Sequence, residues 1–352
     1  MAILRAYASL RVDGALVRLL VGEFISSIGD WLYLVAILVV VYERSNDAAL
    51  LGIVGAARVL PYVIFSVPAG YIADHYDRRL VLLSTDLARG TIMVVMAVLV
   101  AVDGPLWAIV ALSILATCFS SFFGPTIGAF LPTLVGDESR LGPANSAWAS
   151  LDNLAFIVGP AIGGLLIAAS GLSLAFALNA VSFGVVAVIL WRLPRGGQSD
   201  EPSAAAASPS PGEAAPSSVV AAAGPRYLVP LVGLATLNVV GSFAFGGLSI
   251  LTVVLAGSAF GTNEAATGYL NAAIGVGGVV GAIVAGALVL RPRLTPALTG
   301  GAILLAVGLV VLGIVGSLGP ALVGMAVASA GSLTVEVVDA TIFQRIVPDA
   351  VR

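Results

Sequence analysis

Long apolar stretches alternate with short polar segments along nearly the whole chain. Each stretch approaches or exceeds the roughly 20 residues that an α-helix needs to cross about 30 Å of hydrocarbon. The pattern therefore predicts an all-α membrane protein with ten transmembrane helices. Their expected positions are 19–42, 48–73, 80–102, 105–130, 143–170, 172–191, 227–256, 265–290, 295–316 and 319–344.

The composition agrees with this prediction. Hydrophobic residues form 59% of the chain and charged residues only 10%, whereas soluble domains carry about 25% charged residues. The net charge is −3 and no basic run occurs, so a nucleic-acid partner is not expected. The expected partners are the lipid bilayer and a small-molecule substrate.

The residue inventory argues against an enzyme. The chain has one cysteine and one histidine, so disulfides, cysteine metal sites and histidine clusters are not expected. No glycine-rich phosphate loop and no nucleophile–base pair occurs. We expect no cofactor. The segment 1–18 is too polar for a cleaved signal peptide, so the first helix is expected to stay in the membrane.

Arginines in the predicted loops are distributed asymmetrically, which indicates the topology. One side holds Arg5, Arg11, Arg18, Arg78, Arg79, Arg140, Arg192, Arg195, Arg226, Arg291, Arg293, Arg345 and Arg352, and the other holds only Arg44. By the positive-inside rule, both ends of this chain are expected in the cytoplasm of a multi-pass protein of the bacterial inner membrane.

Residues 193–226 are rich in Pro, Ala, Ser and Gly and predict a disordered cytoplasmic linker. The linker separates a six-helix bundle, 1–192, from a bundle of four helices, 227–352. Weak similarity between 129–140 and 341–352 indicates that the second bundle repeats the first. The pattern therefore predicts two further helices of an expected twelve. Either the sequence is truncated or it is a natural ten-helix variant.

The loop between the second and third predicted helices concentrates charge. The segment G-Y-I-A-D-H-Y-D-R-R contains Gly70, Asp74, Asp77, Arg78 and Arg79. The fifth predicted helix carries the segment V-G-P-A-I-G-G at 158–164, which contains Gly159, Pro160, Gly163 and Gly164. Such a loop suits a cytoplasmic gate between adjacent helices, while the proline kinks its helix and the glycines permit close packing.

These motifs resemble those of the major facilitator superfamily along essentially the whole chain. The charged loop matches the pattern G-x-x-x-D-R/K-x-G-R/K-R/K, with His75 replacing a basic residue and Asp77 the glycine. The helix-5 segment is similar to a motif of proton-coupled exporters. The segments 25–32, 59–61 and 144–148 resemble the macrolide and siderophore exporter branch. The resemblance implies two bundles that rock around a central cavity.

Eight ionisable residues fall within the predicted spans, where each charge costs about 2.5–3.5 kcal/mol on insertion scales. They are Glu23, Asp30, Arg58, Asp86, Arg89, Asp152, Glu336 and Asp339. Glu23 and Asp339 lie near helix ends and are interpreted as reaching toward water. Asp86 and Arg89 are three residues apart on one helix and are interpreted as a local structural pair.

Asp30 lies near mid-membrane and is the preferred proton-coupling residue, with Arg58 as its expected partner. The alternative is a static Asp30–Arg58 link between helices. Asp152 and Glu336 are second candidates for coupling. The substrate cavity is expected to be apolar and aromatic, which suits amphipathic molecules, including cationic ones. Its candidate residues are Phe119, Phe122, Phe123, Asn238, Phe243 and Phe245.

Together these features predict a secondary active transporter that exports small amphipathic compounds, drug-, macrolide- or siderophore-like, by proton antiport and alternating access. Two alternatives stay open. One is a non-transporting sensor or anchor module of a larger protein, and the other is an uptake carrier.

Overall fold

The structure, a computed structural model, describes residues 14–136, 138–193, 225–259, 264–289, 291 and 293–346. Within these residues the chain is helical and contains no strand. The predicted linker lies almost entirely outside the described residues, as does the segment 347–352.

The helices of the amino-terminal part are α1 (Gly14–Ser45), α2 (Ala48–Ala57), α3 (Leu60–His75), α4 (Arg78–Ala101), α5 (Leu106–Ser120), α6 (Phe123–Val135), α7 (Glu138–Ser170) and α8 (Leu172–Arg192). Those of the carboxyl-terminal part are α9 (Pro225–Val254), extended by a π-helical turn (Leu255–Ala259), α10 (Glu264–Val289), α11 (Thr295–Ile314) and α12 (Leu318–Ile346).

Nine helical stretches in the described residues are long and apolar enough to cross a membrane. Nine of the ten predicted spans coincide with them, so the chain is a multi-pass membrane protein. The remaining predicted span, 143–170, lies within α7.

Two predicted spans are each interrupted by a turn. The second span breaks at Arg58 and Val59, between α2 and α3, and the fourth breaks between Ser120 and Phe123. Proline explains both positions, because it occupies the first turn of the segment that follows, where its missing N–H costs no helical hydrogen bond. Pro61 has this place in α3 and Pro125 in α6.

Polar side chains set several helix ends. The Asp47 carboxylate caps α2 by accepting a 2.8 Å hydrogen bond from Ala49 N, and the Asp77 carboxylate caps α4 by accepting a 3.0 Å bond from Arg79 N. Gly136 ends α6 with a φ of +64°, the left-handed conformation that glycine adopts without steric cost.

The chain forms two compact units. The first extends to Gly159 and resumes at Ser170, and its apolar core joins α1, α4, α6 and α8. The second contains Pro160–Ala169 and the helices from α9 onward, with a core built from α9, α10, α11 and α12.

Candidate transport site

Arg89 of α4 lies at the centre of a charged cluster in the first unit. Its guanidinium is ion-paired with Asp86, one turn earlier on the same helix, and one of its nitrogens lies 3.8 Å from Asp30 Oδ2 on α1. The guanidinium carbon is also 4.3 Å from the ring centroid of Phe183 and 5.2 Å from that of Phe123. Two aromatic faces and two carboxylates thus stabilise one buried cation.

Asp30 is also oriented by α8. Ser182 Oγ donates a 3.0 Å hydrogen bond to Asn179 Oδ1, and Asn179 Nδ2 donates a 3.4 Å bond to Asp30 Oδ1. Gly29 permits this contact, because a Cβ at its position would collide with the Asn179 and Ser182 side chains. The Asp30 side chain nevertheless stays 47% exposed, more than that of Asp86 or Glu23.

The predicted local pair of Asp86 and Arg89 is confirmed, and Arg89 additionally contacts Asp30 across helices. The expected partner of Asp30 is different. Arg58 lies over the ring of Tyr33, 4.7 Å from its centroid, and makes no ion pair within the residues that the structure describes. Arg58 follows the last residue of α2, where the helix breaks, and this position directs its side chain to Tyr33.

The prediction that Glu23 and Asp339 reach toward water is wrong. Glu23 is only 7% exposed and Asp339 only 5%. Glu23 lies on α1 within electrostatic range of Asp86, Arg89 and Asp30, so it belongs to the same cluster. The sequence does not reveal that Glu23 belongs to the cluster, because its closeness to a predicted helix end indicates access to solvent. Packing of α8 against α1 at neighbouring Gly22 closes that route.

The charged loop between α3 and α4 makes contacts within the first unit. Arg78 is buried and donates to Thr133 Oγ1 at 2.7 Å and to the Ala73 carbonyl at 3.3 Å. Arg79 donates to the Trp191 carbonyl at the end of α8. Since Asp77 caps α4, these three residues fix the loop to its own bundle.

Asp74 and Gly70 differ from the rest of this loop. Asp74 is partly buried and has no ion pair or hydrogen bond among the described residues. A Cβ at Gly70 would meet no atom within 4 Å. His75 stacks on Tyr71, with the ring centroids 4.0 Å apart.

The glycines of the motif on α7 lie at close contacts. Gly159 is buried against the Trp31 side chain of α1, where a Cβ would collide with the indole. Gly163 is buried. Gly164 lies against the backbone of Gly268 on α10. Pro160 lies within continuous helix, and its side chain is outside the described residues.

The remaining candidates are not brought together. The side chains of Asp152 and Glu336 are both exposed. Phe122 contacts Phe65 at 5.6 Å between centroids, and Phe119 is partly buried. Phe243 is 83% exposed. The side chains of Asn238 and Phe245 are outside the described residues, and across the described ranges no cluster of His, Cys, Asp or Glu could hold a metal ion.

Comparison with known proteins gives matches along the chain. The Major Facilitator Superfamily profile matches residues 19–352. The chain is 33% identical over 186 residues to the uncharacterized MFS-type transporter YfiS of Bacillus subtilis, and this match covers 53% of this chain and 43% of that protein. It is 30% identical over 173 residues to the multidrug efflux pump Tap of Mycobacterium tuberculosis, and this second match covers 47% of this chain and 41% of that protein.

A third relative is macrolide efflux protein A of Streptococcus pyogenes, 25% identical over 179 residues that cover 49% of this chain and 44% of that protein. Each match thus spans less than half of the relative's length. Among solved structures, a bacterial homologue of the human lysosomal transporter Spinster is similar with a TM-score of 0.68 and 15% identity, over 95% of this chain and 75% of that chain. This likeness shows a shared fold.

Proposed function

The chain belongs to the major facilitator superfamily of membrane transporters, and we propose that it exports small amphipathic organic compounds in exchange for protons, by alternating access. Two of its relatives are named as an efflux pump and an efflux protein, which supports export as the direction of transport. They also support the substrate class, since macrolides and multidrug substrates are amphipathic.

The cluster around Arg89 is the observation that carries the proposal of proton coupling. Ionisable side chains within transmembrane helices are costly and mark ion or proton pathways. Here Asp86 is 1% exposed and paired with Arg89, while Asp30 in the same cluster is accessible. Asp30 can therefore exchange a proton with water, and Arg89 couples its charge state to the packing of α1 against α4. Asp152 and Glu336 lie outside this cluster, so they become weaker candidates.

The proposed topology has both ends of the chain in the cytoplasm of the bacterial inner membrane. The arginine distribution supports it. The exposed Trp107 and Trp191 support the positions of the span ends, because tryptophan is enriched at both membrane interfaces. We propose α7 as a tenth span, since its part after Asp152 is apolar. We keep residues 193–226 as the boundary between two bundles.

The loop between α3 and α4 is proposed to gate the cytoplasmic side. Because Asp77, Arg78 and Arg79 are bound within the first unit, Asp74 is the charge of this loop that remains available for a contact made in one transport state only. The motif glycines on α7 serve close helix packing. Phe119 and Phe122 remain proposed cavity residues.

The experiment uses the full chain in proteoliposomes with an acidic lumen. Ethidium and radiolabelled erythromycin serve as probes, and uptake into the lumen reports molecules whose cytoplasmic side faces outward. Accumulation against the gradient of either probe that disappears with a protonophore supports the proposal. Equilibration without accumulation contradicts proton coupling, and accumulation only when the pH gradient is reversed identifies an uptake carrier instead.

A further inference from the structure

Glu23 is a buried carboxyl group for which the proposed mechanism has no use so far. It lies on α1, two turns before Asp30, and is almost inaccessible. Its Oε1 atom is buried and accepts no hydrogen bond, and Glu23 makes no ion pair within the part of the chain that the structure describes. Yet Asp86, Arg89 and Asp30 all act on it electrostatically.

Carboxyl groups outnumber guanidinium groups in this cluster. Glu23, Asp30 and Asp86 are three carboxyl groups that surround the single guanidinium of Arg89. Arg58, Tyr33 and Tyr62 are the other titratable groups near Asp30, and Arg58 is directed to Tyr33. An isolated charge in an apolar interior is neutralised more cheaply than it is buried. Asp86 and Asp30 share Arg89, which leaves Glu23 without a countercharge among the described residues.

We propose that Glu23 is the proton-binding residue of this transporter, reached through Asp30, and that Arg89 is the positioning residue that transmits its state. This inference rests on the proposed proton coupling and assigns its site. The proton bound to Glu23 leaves the carboxyl neutral while Arg89 holds Asp86 and Asp30. A bound metal cation fits less well, because the guanidinium already occupies the centre of the cluster.

The geometry also indicates what happens when the proton leaves. Arg89 Nε is buried and donates no hydrogen bond, just as Glu23 Oε1 accepts none. An ionised Glu23 competes with Asp30 for the guanidinium, and this competition weakens the 3.8 Å contact that joins α4 to α1. Loss of one proton at Glu23 thereby changes the packing of two helices, which is the linkage that antiport requires.

Infrared difference spectroscopy of the purified full chain, between acid and alkaline buffer, tests the assignment without a substrate. We expect a protonated-carboxyl C=O band that shifts in heavy water. Glu23→Gln should lose this band. Glu43→Gln, the same change at an exposed position of the same helix, should keep it. Glu23→Asp should retain a band at a shifted frequency, which shows that loss in Glu23→Gln is not misfolding.

A band that survives in Glu23→Gln, or that Asp30→Asn abolishes while Glu23 is present, overturns the assignment. So does a band that responds to sodium at constant pH, which would identify a cation site. Because the spectra involve no transport, they separate this inference from the proposed function. Wild-type protein that fails to accumulate ethidium or erythromycin refutes only the exporter, whereas an unchanged band in Glu23→Gln refutes only the proton site.

Discussion

Asp30 of α1 and Arg89 of α4 lie 3.8 Å apart between carboxylate oxygen and guanidinium nitrogen, although 59 positions separate them in the chain. Arg89 keeps Asp86 as a second, closer partner. Removing the charge of Asp30 therefore does not leave a buried arginine alone. This arrangement lets a coupling role for Asp30 be tested without loss of the fold.

We expect Asp30→Asn to abolish uphill, pH-driven accumulation of ethidium while retaining downhill exchange. Asparagine matches the size of the carboxyl group but cannot exchange a proton. The measurement is uptake into proteoliposomes with and without a pH gradient, normalised to folded protein. Asp103→Asn is the control, because that side chain is exposed in the loop after α4 and lies outside the cluster. If Asp30→Asn accumulates ethidium to the wild-type level, Asp30 is not a coupling residue.

Arg89→Leu should destabilise the protein by about 3–5 kcal/mol, because it leaves buried carboxylates without their cation. Arg58→Leu is the matched control, since that guanidinium makes no ion pair among the described residues and its contact with the Tyr33 ring is of a kind that contributes about 0.5–2 kcal/mol. Thermal unfolding in detergent compares the two. Equal destabilisation would contradict the central role of Arg89.

Asp74→Asn should slow transport of either probe and leave thermal stability unchanged, because Asp74 makes no ion pair or hydrogen bond with the described residues. Asp77→Ala should behave in the opposite way and destabilise the protein by about 1 kcal/mol through loss of the α4 cap. Transport rates and melting curves are measured for both variants. Unchanged transport in Asp74→Asn would contradict a gating role of the loop and leave it as an indicator of topology alone.

The proposed orientation places Ser208 in the cytoplasm. A cysteine introduced there, in a Cys118→Ser background, should resist an impermeant thiol reagent applied to intact cells and react after the cells are opened. A cysteine at Asp47, in the opposite loop, should react in intact cells. Comparable labelling of both sites from outside would reverse the topology.

Gly277→Ala should destabilise the second unit by about 1–3 kcal/mol, because the new methyl group would collide with the Ala326 backbone of α12. Gly286→Ala on the same helix meets no atom within 4 Å and should be neutral or stabilising by up to about 1 kcal/mol. Thermal unfolding distinguishes them, and equal effects would argue against close α10–α12 packing.

Helix positions follow from local properties that the sequence records directly. Apolar length places nine predicted spans on the observed helices, because every segment must satisfy its own backbone hydrogen bonds in lipid. The family could also be predicted, since its motifs are contiguous. The breaks at Arg58 and near Phe122 were missed, although Pro61 and Pro125 provide the local signal.

By itself the sequence determined the all-helical membrane fold, the family and the residues rich in charge, because hydropathy and short motifs act over single helices. It did not determine which charges meet. That Arg89, rather than Arg58, contacts Asp30, and that Glu23 is buried beside them, depends on the rotation of α1 against α4 and α8. Side chains distant in the chain set that rotation through packing, so only the tertiary structure decided it.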